Sequence, residues 1–393
     1  MTEVVFAACC RTPIGSYGKS LRDVPPSRMG AKVVAAALER AGVAPDQVEH
    51  VVFGNVIHTE PADMYMARVV GVGAGIPVET PAYTVNRLCG TGVQAIISAA
   101  QAIQSGDVSV AVAGGAESMS RGPYWMPSLR WGARMGATDV VDAVSGALTD
   151  PFHGILMGVT AENLAEQYAI GRQEQDDFAV ESHRRATAAQ REGRLAADIV
   201  PLALEDRHGT VVDRDEHIRP ELQIEALAAL RPVFKEGGTV TAGNASGMND
   251  AAAAAVLLSR QRADELGVPV IGRLAAYATC GVDPRTMGIG PVPAVRKVLD
   301  RAGISLDDVG VIELNEAFAA QALAVIKELE LDPAKVNPMG GAIALGHPIA
   351  ATGTIVTAKA LSEMQRGNHR YGLVTLCIGG GQGIAMLLER PSD

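Results

Sequence analysis

One stretch of this chain occurs twice. The run Leu38-Glu-Arg-Ala-Gly-Val, followed closely by Asp46-Gln-Val-Glu-His-Val-Val-Phe-Gly-Asn, returns as Leu299-Asp-Arg-Ala-Gly-Ile and Asp307-Asp-Val-Gly-Val-Ile-Glu-Leu-Asn-Glu, at a constant offset of 261 residues. Because a repeat of this length is a structural unit rather than a motif, it predicts two halves of the same fold. We expect the halves to be related by an approximate twofold axis, with a site between them that draws residues from both.

Each copy predicts a helix, a glycine stop and a buried strand. Apolar residues recur with helical spacing over positions 29–41 before Gly42 and over 295–302 before Gly303. The runs that follow are apolar on both faces, as in strands of a parallel or mixed sheet. These runs are Val48–Val52 and Val309–Leu314, and a second pair is Val108–Ala113, ending in Gly114-Gly115, and Leu373–Cys377, ending in Gly379-Gly-Gly. The chain is therefore predicted to belong to the α/β class.

The segment between the copies, from about Met119 to Asn249, has a different character. It contains aromatic residues and charged stretches. Its one clear helical pattern is a hairpin that begins at Thr160 and continues over residues 172–191. We interpret it as an insertion that covers a substrate.

Charge and cysteine content exclude several classes of protein. The chain has 34 basic and 44 acidic residues, a formal net charge of −10, and no basic run that could follow a phosphate backbone, so nucleic acid is not expected as a partner. Apolar stretches are far shorter than the ~20 residues of a membrane span, which predicts a cytoplasmic protein with no membrane partner. The five cysteines are odd in number and form no CxxC pair, so they are interpreted as free thiols with no metal site.

Four clusters carry residues suited to chemistry, and all lie at predicted strand ends or strand-to-helix turns. Cys89 precedes a helical run, where unpaired N–H groups and the helix dipole predict a lowered thiol pKa. His347 stands in a glycine-rich loop, where an imidazole could take the proton of a thiol. Cys377 leads into a turn of backbone N–H groups that could stabilise an oxyanion, and Asn315 ends the repeated strand, where its amide could hold a water or a carbonyl oxygen.

Along its whole length the chain resembles the thiolase family, and most closely its bacterial broad-specificity β-ketothiolases. The four clusters carry the resemblance, together with runs that begin at Asn55, Thr241 and Met287. The resemblance implies the thiolase fold, with two repeated βαβαβαββ halves in a five-layer αβαβα sandwich and an inserted loop domain. On this basis residues 1–118 and 250–268 form the N-terminal half, 119–249 the inserted, CoA-binding domain, and 269–393 the C-terminal half.

The resemblance also implies the reaction, a reversible Claisen exchange between acyl-CoA and acetyl-CoA that gives 3-oxoacyl-CoA and free CoA. Cys89 would carry the acyl group after His347 takes its proton, and Cys377 would remove the α-proton of acetyl-CoA. The enolate oxygen would be held by His347 and by a water on Asn315, and the N–H groups of Cys89 and Gly379 would stabilise the tetrahedral intermediate. CoA and acetyl-CoA are then substrates, with no permanently bound cofactor, and the resemblance implies a homodimer or homotetramer.

Further family positions map to the CoA site. Arg219 would lie beside the adenine nucleotide and Ser246 near the pantetheine, and the tunnel would be lined by Met157, Ala317 and Phe318. Three residues depart from the family pattern: Leu156 stands in place of a His, Ala226 in place of a Ser and Ala350 in place of a Gly. Leu156 removes a polar contact near the thioester, and the extra methyl of Ala350 could shift the loop that carries His347.

Three other interpretations compete. A ketoacyl synthase also uses a nucleophilic Cys but lacks a second thiol such as Cys377, and a non-catalytic relative that only binds CoA would not need all four clusters. A dinucleotide-binding oxidoreductase is suggested by Gly71-Val-Gly-Ala-Gly, but those glycines follow no strand and have no acidic partner. Acyl chain length, acceptance of dicarboxylic substrates, the physiological direction and the pathway stay open.

Overall fold

A computed structural model describes residues 2–391 of the chain. The strands are β1 Val4–Arg11, β2 Gly15–Ser16, β3 His50–Gly54, β4 Ala82–Val85, β5 Val110–Ser118, β6 Tyr124–Trp125, β7 Val141–Asp142, β8 Leu202–Ala203, β9 Val211–Val212, β10 Asn249–Ser259, β11 Gly272–Gly281, β12 Val309–Leu314, β13 Tyr371–Ile378 and β14 Gln382–Glu389. The helices are α1 Pro26–Ala41, α2 Met66–Gly73, α3 Thr91–Ser105, α4 Ala143–Ala147, α5 Met157–Gln167, α6 Arg172–Arg191, α7 Ile224–Ala228, α8 Arg260–Leu266, α9 Pro291–Ala302, α10 Ala319–Leu329, α11 Ala342–Leu345 and α12 Ile349–Arg366.

The two halves repeat one sheet pattern. In the N-terminal half the strand order is β4-β3-β5-β10-β1, with β3 parallel to both neighbours and β10 antiparallel to both of its own. In the C-terminal half the order is β12-β13-β14-β11, with β12 parallel to β13 and to a bridge at Val336, and β14 antiparallel to its neighbours. A short antiparallel contact of β1 with β11, in which Val5 lies opposite Arg273, joins the two sheets. The duplicated sequence is therefore a duplicated fold, as predicted.

Three apolar cores separate five layers. The first core packs α1 and α2 on the outer face of the N-terminal sheet, and the third packs α9 and α10 on the outer face of the C-terminal sheet. Between them, the second core fills the space between the two sheets with α3 and α12. This order of helix, sheet, helix, sheet and helix confirms the predicted αβαβα sandwich, and it brings α3 and α12 side by side in the middle of the molecule.

The predicted ends of two helices are confirmed, whereas the predicted end of β5 and the predicted start of α5 are corrected. Helices α1 and α9 end at Gly42 and Gly303, which both adopt φ +67°, a left-handed conformation that favours glycine. Strand β5 does not end at Gly114-Gly115 but runs on to Ser118, because it stays paired with β10 over this whole length. A Cβ at Gly114 would lie 2.2 Å from the Ala253 carbonyl oxygen of β10. These glycines serve close packing within the strand rather than a turn.

The insertion between β5 and β10 contains the predicted helical hairpin, α5 and α6. Helix α5 begins at Met157 rather than Thr160, whose hydroxyl donates back to the Met157 carbonyl within the first turn. Within residues 2–391 no helix is long and apolar enough to cross a membrane, and no group of three His, Cys, Asp or Glu side chains is arranged to hold a metal ion.

Candidate active site

Cys89 lies in a tight 3₁₀ turn, Leu88–Gly90, that connects β4 to α3. The turn holds Leu88 at φ +46°, a left-handed conformation that costs a non-glycine residue about 1–2 kcal/mol. It is stabilised locally, since the Leu88 N–H donates to Asn86 Oδ1 at 2.9 Å. The predicted position of Cys89 at the start of a helix is therefore confirmed, on backbone that is fixed in an uncommon conformation.

The environment of Cys89 raises its thiol pKa to about 11, and burial is the largest cause. The backbone N–H groups of Gly379 and of Cys89 itself act in the opposite direction by hydrogen bonding to the sulfur. The prediction of a lowered pKa is therefore wrong, because loss of water outweighs the helix end. A thiol that stays protonated at neutral pH needs a base before it can attack a thioester.

His347 lines the same cavity as Cys89. It is buried, and burial lowers its pKa to about 4, so the imidazole is neutral at pH 7. Its Nδ1 lies 2.7 Å from the hydroxyl of Thr352, and that hydroxyl donates to the Pro348 carbonyl at 2.8 Å. Because the single hydroxyl proton is used there, Nδ1 must carry the ring proton and donate it to Thr352. Nε2 then keeps its lone pair, and among the described residues it has no hydrogen-bond partner.

Cys377 and Asn315 lie at neighbouring strand ends of the C-terminal sheet. Cys377 is fully buried near the end of β13, and its pKa is raised well above the ordinary value by burial and by the nearby Cys89 thiol. Asn315 directly follows β12 and is buried, with no partner in residues 2–391 for either side-chain amide atom. An unpaired buried amide is costly, so it marks a group kept for a ligand or a water.

Glycines allow the two middle helices to approach closely. A Cβ at Gly92 of α3 would lie 2.5 Å from the Thr354 nitrogen of α12, and a Cβ at Gly353 of α12 would lie 2.4 Å from the Val93 nitrogen of α3. Contacts this short do not occur, so only glycine permits the crossing at either position. The crossing fixes the starts of α3 and α12, and with them Cys89 and His347, against each other.

A mostly apolar cavity of about 400 Å³ opens onto this centre. The predicted site residues that line it are Cys89, His347, Gly379, Ser246, Leu156, Met157, Ala317 and Phe318. Arg219 does not line the cavity. It is exposed in the insertion, where its backbone N–H donates to His183 Nδ1 at 3.1 Å. Ala226 lies on α7 away from the cavity walls, and Ala350 is buried in the first turn of α12.

Sequence reasoning missed Glu117, a fully buried carboxyl group near the end of β5. One oxygen accepts from the Ile57 N–H and the other from the Ala350 N–H, both at 3.0 Å. Burial raises the pKa of Glu117 to about 8, while these N–H groups lower it. The carboxyl group thus ties the loop after β3 to the start of the helix that follows His347. Its only signal in the sequence is an acidic residue inside a buried strand.

Comparison with known proteins gives a consistent result. The family model described as "Thiolase, N-terminal domain" matches residues 4–261, and "Thiolase, C-terminal domain" matches residues 268–390. The chain is 59% identical to "Beta-ketothiolase BktB" of Cupriavidus necator, over 99% of both chains, and 49% identical to an acetyl-CoA acetyltransferase of Chromobacterium violaceum, over 99% of this chain and all of that one.

Solved structures agree with these matches. The Bacillus anthracis acetyl-CoA acetyltransferase superposes with a TM-score of 0.97 at 44% identity, over 100% of this chain and 99% of that chain. Human mitochondrial 3-ketoacyl-CoA thiolase in complex with CoA also gives a TM-score of 0.97, at 41% identity over 99% of this chain and 98% of that chain.

Proposed function

This chain belongs to the thiolase family of CoA-dependent acyltransferases, and on that premise we propose that it exchanges acyl groups by a ping-pong mechanism through an acyl-Cys89 intermediate. In one direction an acyl-CoA and acetyl-CoA condense to 3-oxoacyl-CoA with release of CoA. In the other, CoA cleaves the 3-oxoacyl-CoA between its α and β carbons. The observation that carries the proposal is that Cys89 and His347 line one cavity and that His347 Nε2 has no hydrogen-bond partner among the described residues.

In the first half-reaction Nε2 of His347 takes the Cys89 proton, and the sulfur attacks the thioester carbon. The oxygen of the tetrahedral intermediate then gains negative charge, which the N–H groups of Cys89 and Gly379 stabilise. Both N–H groups lower the pKa of the Cys89 thiol, so they act on the sulfur at which the intermediate forms. The protonated imidazole returns its proton to the departing CoA thiolate, and the acyl group stays on Cys89.

In the second half-reaction Cys377 acts as the base toward carbon. The α-proton of a thioester is a weak acid, so its removal needs both a positioned base and stabilisation of the enolate oxygen. The Cys377 thiol first gives its proton to His347, which is neutral again after the first half-reaction, and its raised pKa makes the resulting thiolate a strong base. The thiolate takes the α-proton, while the His347 imidazolium and a water on Asn315 hold the enolate oxygen. The α-carbon then attacks the acyl carbon, the bond from that carbon to the Cys89 sulfur breaks, and the imidazolium returns its proton to the Cys89 thiolate.

The substrate enters through the cavity. Ser246, Met157, Ala317 and Phe318 are assigned to the pantetheine arm, and Arg219, exposed outside the cavity, to the adenine nucleotide. The similar human mitochondrial 3-ketoacyl-CoA thiolase has been solved in complex with CoA, which supports CoA as a ligand of this chain. Near Cys89 the walls are apolar, with Leu156, Leu148 and Met119 among them, which favours aliphatic acyl chains. No permanently bound cofactor is required, and a homodimer or homotetramer is proposed as the assembly.

The decisive experiment is CoA-dependent thiolysis of 3-oxoacyl-CoA thioesters of four carbons and upward, including 3-oxoadipyl-CoA. The native chain should cleave at least one of them and form an acyl-enzyme detectable by intact mass, and Cys89→Ala should abolish both while retaining CoA binding. If the native chain binds CoA without any turnover, the proposal is replaced by that of a non-catalytic CoA-binding relative.

A further inference from the structure

A second, much smaller cavity lies behind Asn315, between the end of β12 and α12. Its volume is about 10 Å³, and its walls include Glu313, Asn315, Thr352 and Lys359. Three side-chain atoms of these residues have no partner among the described residues: Glu313 Oε1 and both Asn315 amide atoms. A space of this size with two or more unpaired polar groups fits one buried water molecule. The cavity adjoins His347, because Thr352 contacts both.

The rear of this cavity is formed by an ion pair that is completely enclosed. Lys359, on α12, is 1% exposed and Glu313, on β12, is 0% exposed, and their Nζ and Oε2 atoms are 2.6 Å apart. Lys359 also donates to the Gly340 carbonyl at 2.6 Å. A buried ion pair seldom adds stability over apolar residues of the same size, so its presence directly behind Asn315 points to another role.

Other charges face the pair from neighbouring elements. Burial raises the pKa of Glu313 to about 7, the Lys359 ammonium lowers it, and the carboxylates of Glu363 and Glu316 raise it. Glu316 is itself held by the Ser182 hydroxyl and the Asn337 amide. Lys359 is thus the cation that offsets a group of acidic side chains close to the reaction centre.

We propose that Glu313 and Lys359 are positioning residues for the enolate step: with Asn315 they complete a site for one water, and Lys359 cancels the carboxylate charge behind the enolate oxygen. The water accepts a hydrogen bond from Asn315 Nδ2 and donates one proton to Glu313 Oε1, which directs its other proton at the enolate oxygen. This inference rests on the proposed thiolase function. It predicts that Lys359 affects carbon deprotonation and not acylation, since no anion forms on carbon when Cys89 is acylated.

The test separates the two half-reactions in full-length protein. Acylation is followed by intact mass of acetyl-Cys89, and enolate formation by exchange of acetyl-CoA methyl protons in D₂O. Lys359→Met removes the cation that lowers the Glu313 pKa, so the buried carboxyl group takes up a proton and no longer accepts from the water; exchange should slow about ten- to a hundredfold, with acylation changed by less than about twofold. In the double variant Glu313→Gln/Lys359→Met the amide oxygen can accept from the water again, so most of the exchange rate should return. Thr357→Val, a buried polar residue on the same helix that does not border the small cavity, is the matched control.

Equal loss of both half-reactions in Lys359→Met, or no recovery in the double variant, would overturn the inference and assign the pair to folding. If the single variant does not fold, a high-resolution crystal structure of the native chain decides instead. A water within hydrogen-bond distance of both Asn315 and Glu313 supports the proposal, and an ordered cavity without one refutes it. Absence of acetyl-Cys89 in the native chain would instead refute the proposed function.

Discussion

The contact between β5 and the first turn of α12 is a place where one added methyl group should disturb the active site. A Cβ at Gly115 would lie 2.1 Å from the Ala350 carbonyl oxygen and 2.8 Å from its carbonyl carbon. Both of these atoms are backbone, so no side-chain rotation can relieve the clash. Restoring an acceptable distance requires β5 and α12 to separate by about 1 Å, within a densely packed interior.

The magnitude of the effect follows from the position of Ala350, three residues after His347. A shift of about 1 Å at the start of α12 moves the imidazole relative to Cys89, which sits on a different helix. Misplacement of a catalytic group by about 1 Å costs roughly a hundredfold in rate, equivalent to about 2.7 kcal/mol in the activation free energy. Overpacking should also lower the free energy of unfolding by about 1–3 kcal/mol.

The assay compares Gly115→Ala with Gly71→Ala, in which the added Cβ would lie 3.3 Å from a Val51 side chain in an outer layer. For Gly115→Ala we expect a fall of about a hundredfold in kcat for thiolysis, a lower Tm, and a KM for CoA within a few fold of the native value. Gly71→Ala should keep its kcat. A Gly115→Ala protein with a lower Tm but native kcat would refute the idea that this contact positions His347.

Two further predictions concern pH and acyl chain length. Because burial lowers the pKa of His347 from 6.5 to about 4, the folded chain binds fewer protons there than the unfolded chain, and stability is lost as pH falls from about 6.5 toward 4. Acidification from pH 7 to pH 5 should therefore cost His347→Gln about 2 kcal/mol less unfolding free energy than the native chain in urea titrations; an equal loss would contradict the buried, neutral imidazole. Ala147 is a half-buried wall residue of the 400 Å³ cavity, and Ala147→Leu should lower kcat/KM for long 3-oxoacyl chains at least about tenfold relative to acetoacetyl-CoA. A uniform decrease across the substrate panel would place Ala147 outside the acyl pocket.

The sequence predicted those features that depend on residues close to one another along the chain. Helical spacing followed by a glycine located α1 and α9 together with their ends, and the run Val309–Leu314 coincides with β12. The repeat predicted the matching strand order of the two halves, because equal sequences fold into equal units. The start of α3 beside Cys89 followed from the Ala-rich helical run after it.

Contacts between distant segments were beyond this reasoning. Glu117 meets Ala350 across 233 positions of the chain, and Lys359 meets Glu313 across 46. The pKa of Cys89 was mispredicted for the same reason: the helix end is visible in the sequence, but the burial that outweighs it comes from distant segments, which contribute Ile57, Val144 and Ile349 to the apolar cluster around Cys89. Gly114-Gly115 was interpreted as the end of a strand because the sequence does not show that its packing partners lie on β10 and α12.

The twofold repeat also explains why this centre suits anionic intermediates. Cys89 lies two residues before α3, and His347 lies two residues before α12, which occupies the corresponding position in the other half. The two groups therefore sit at equivalent helix starts, on the positive ends of two helix dipoles that meet at one cavity. A thiolate, a tetrahedral oxyanion and an enolate all carry negative charge there. The fold thus provides one electrostatic arrangement twice, and in the proposed mechanism the different side chains at these two positions serve as nucleophile and base.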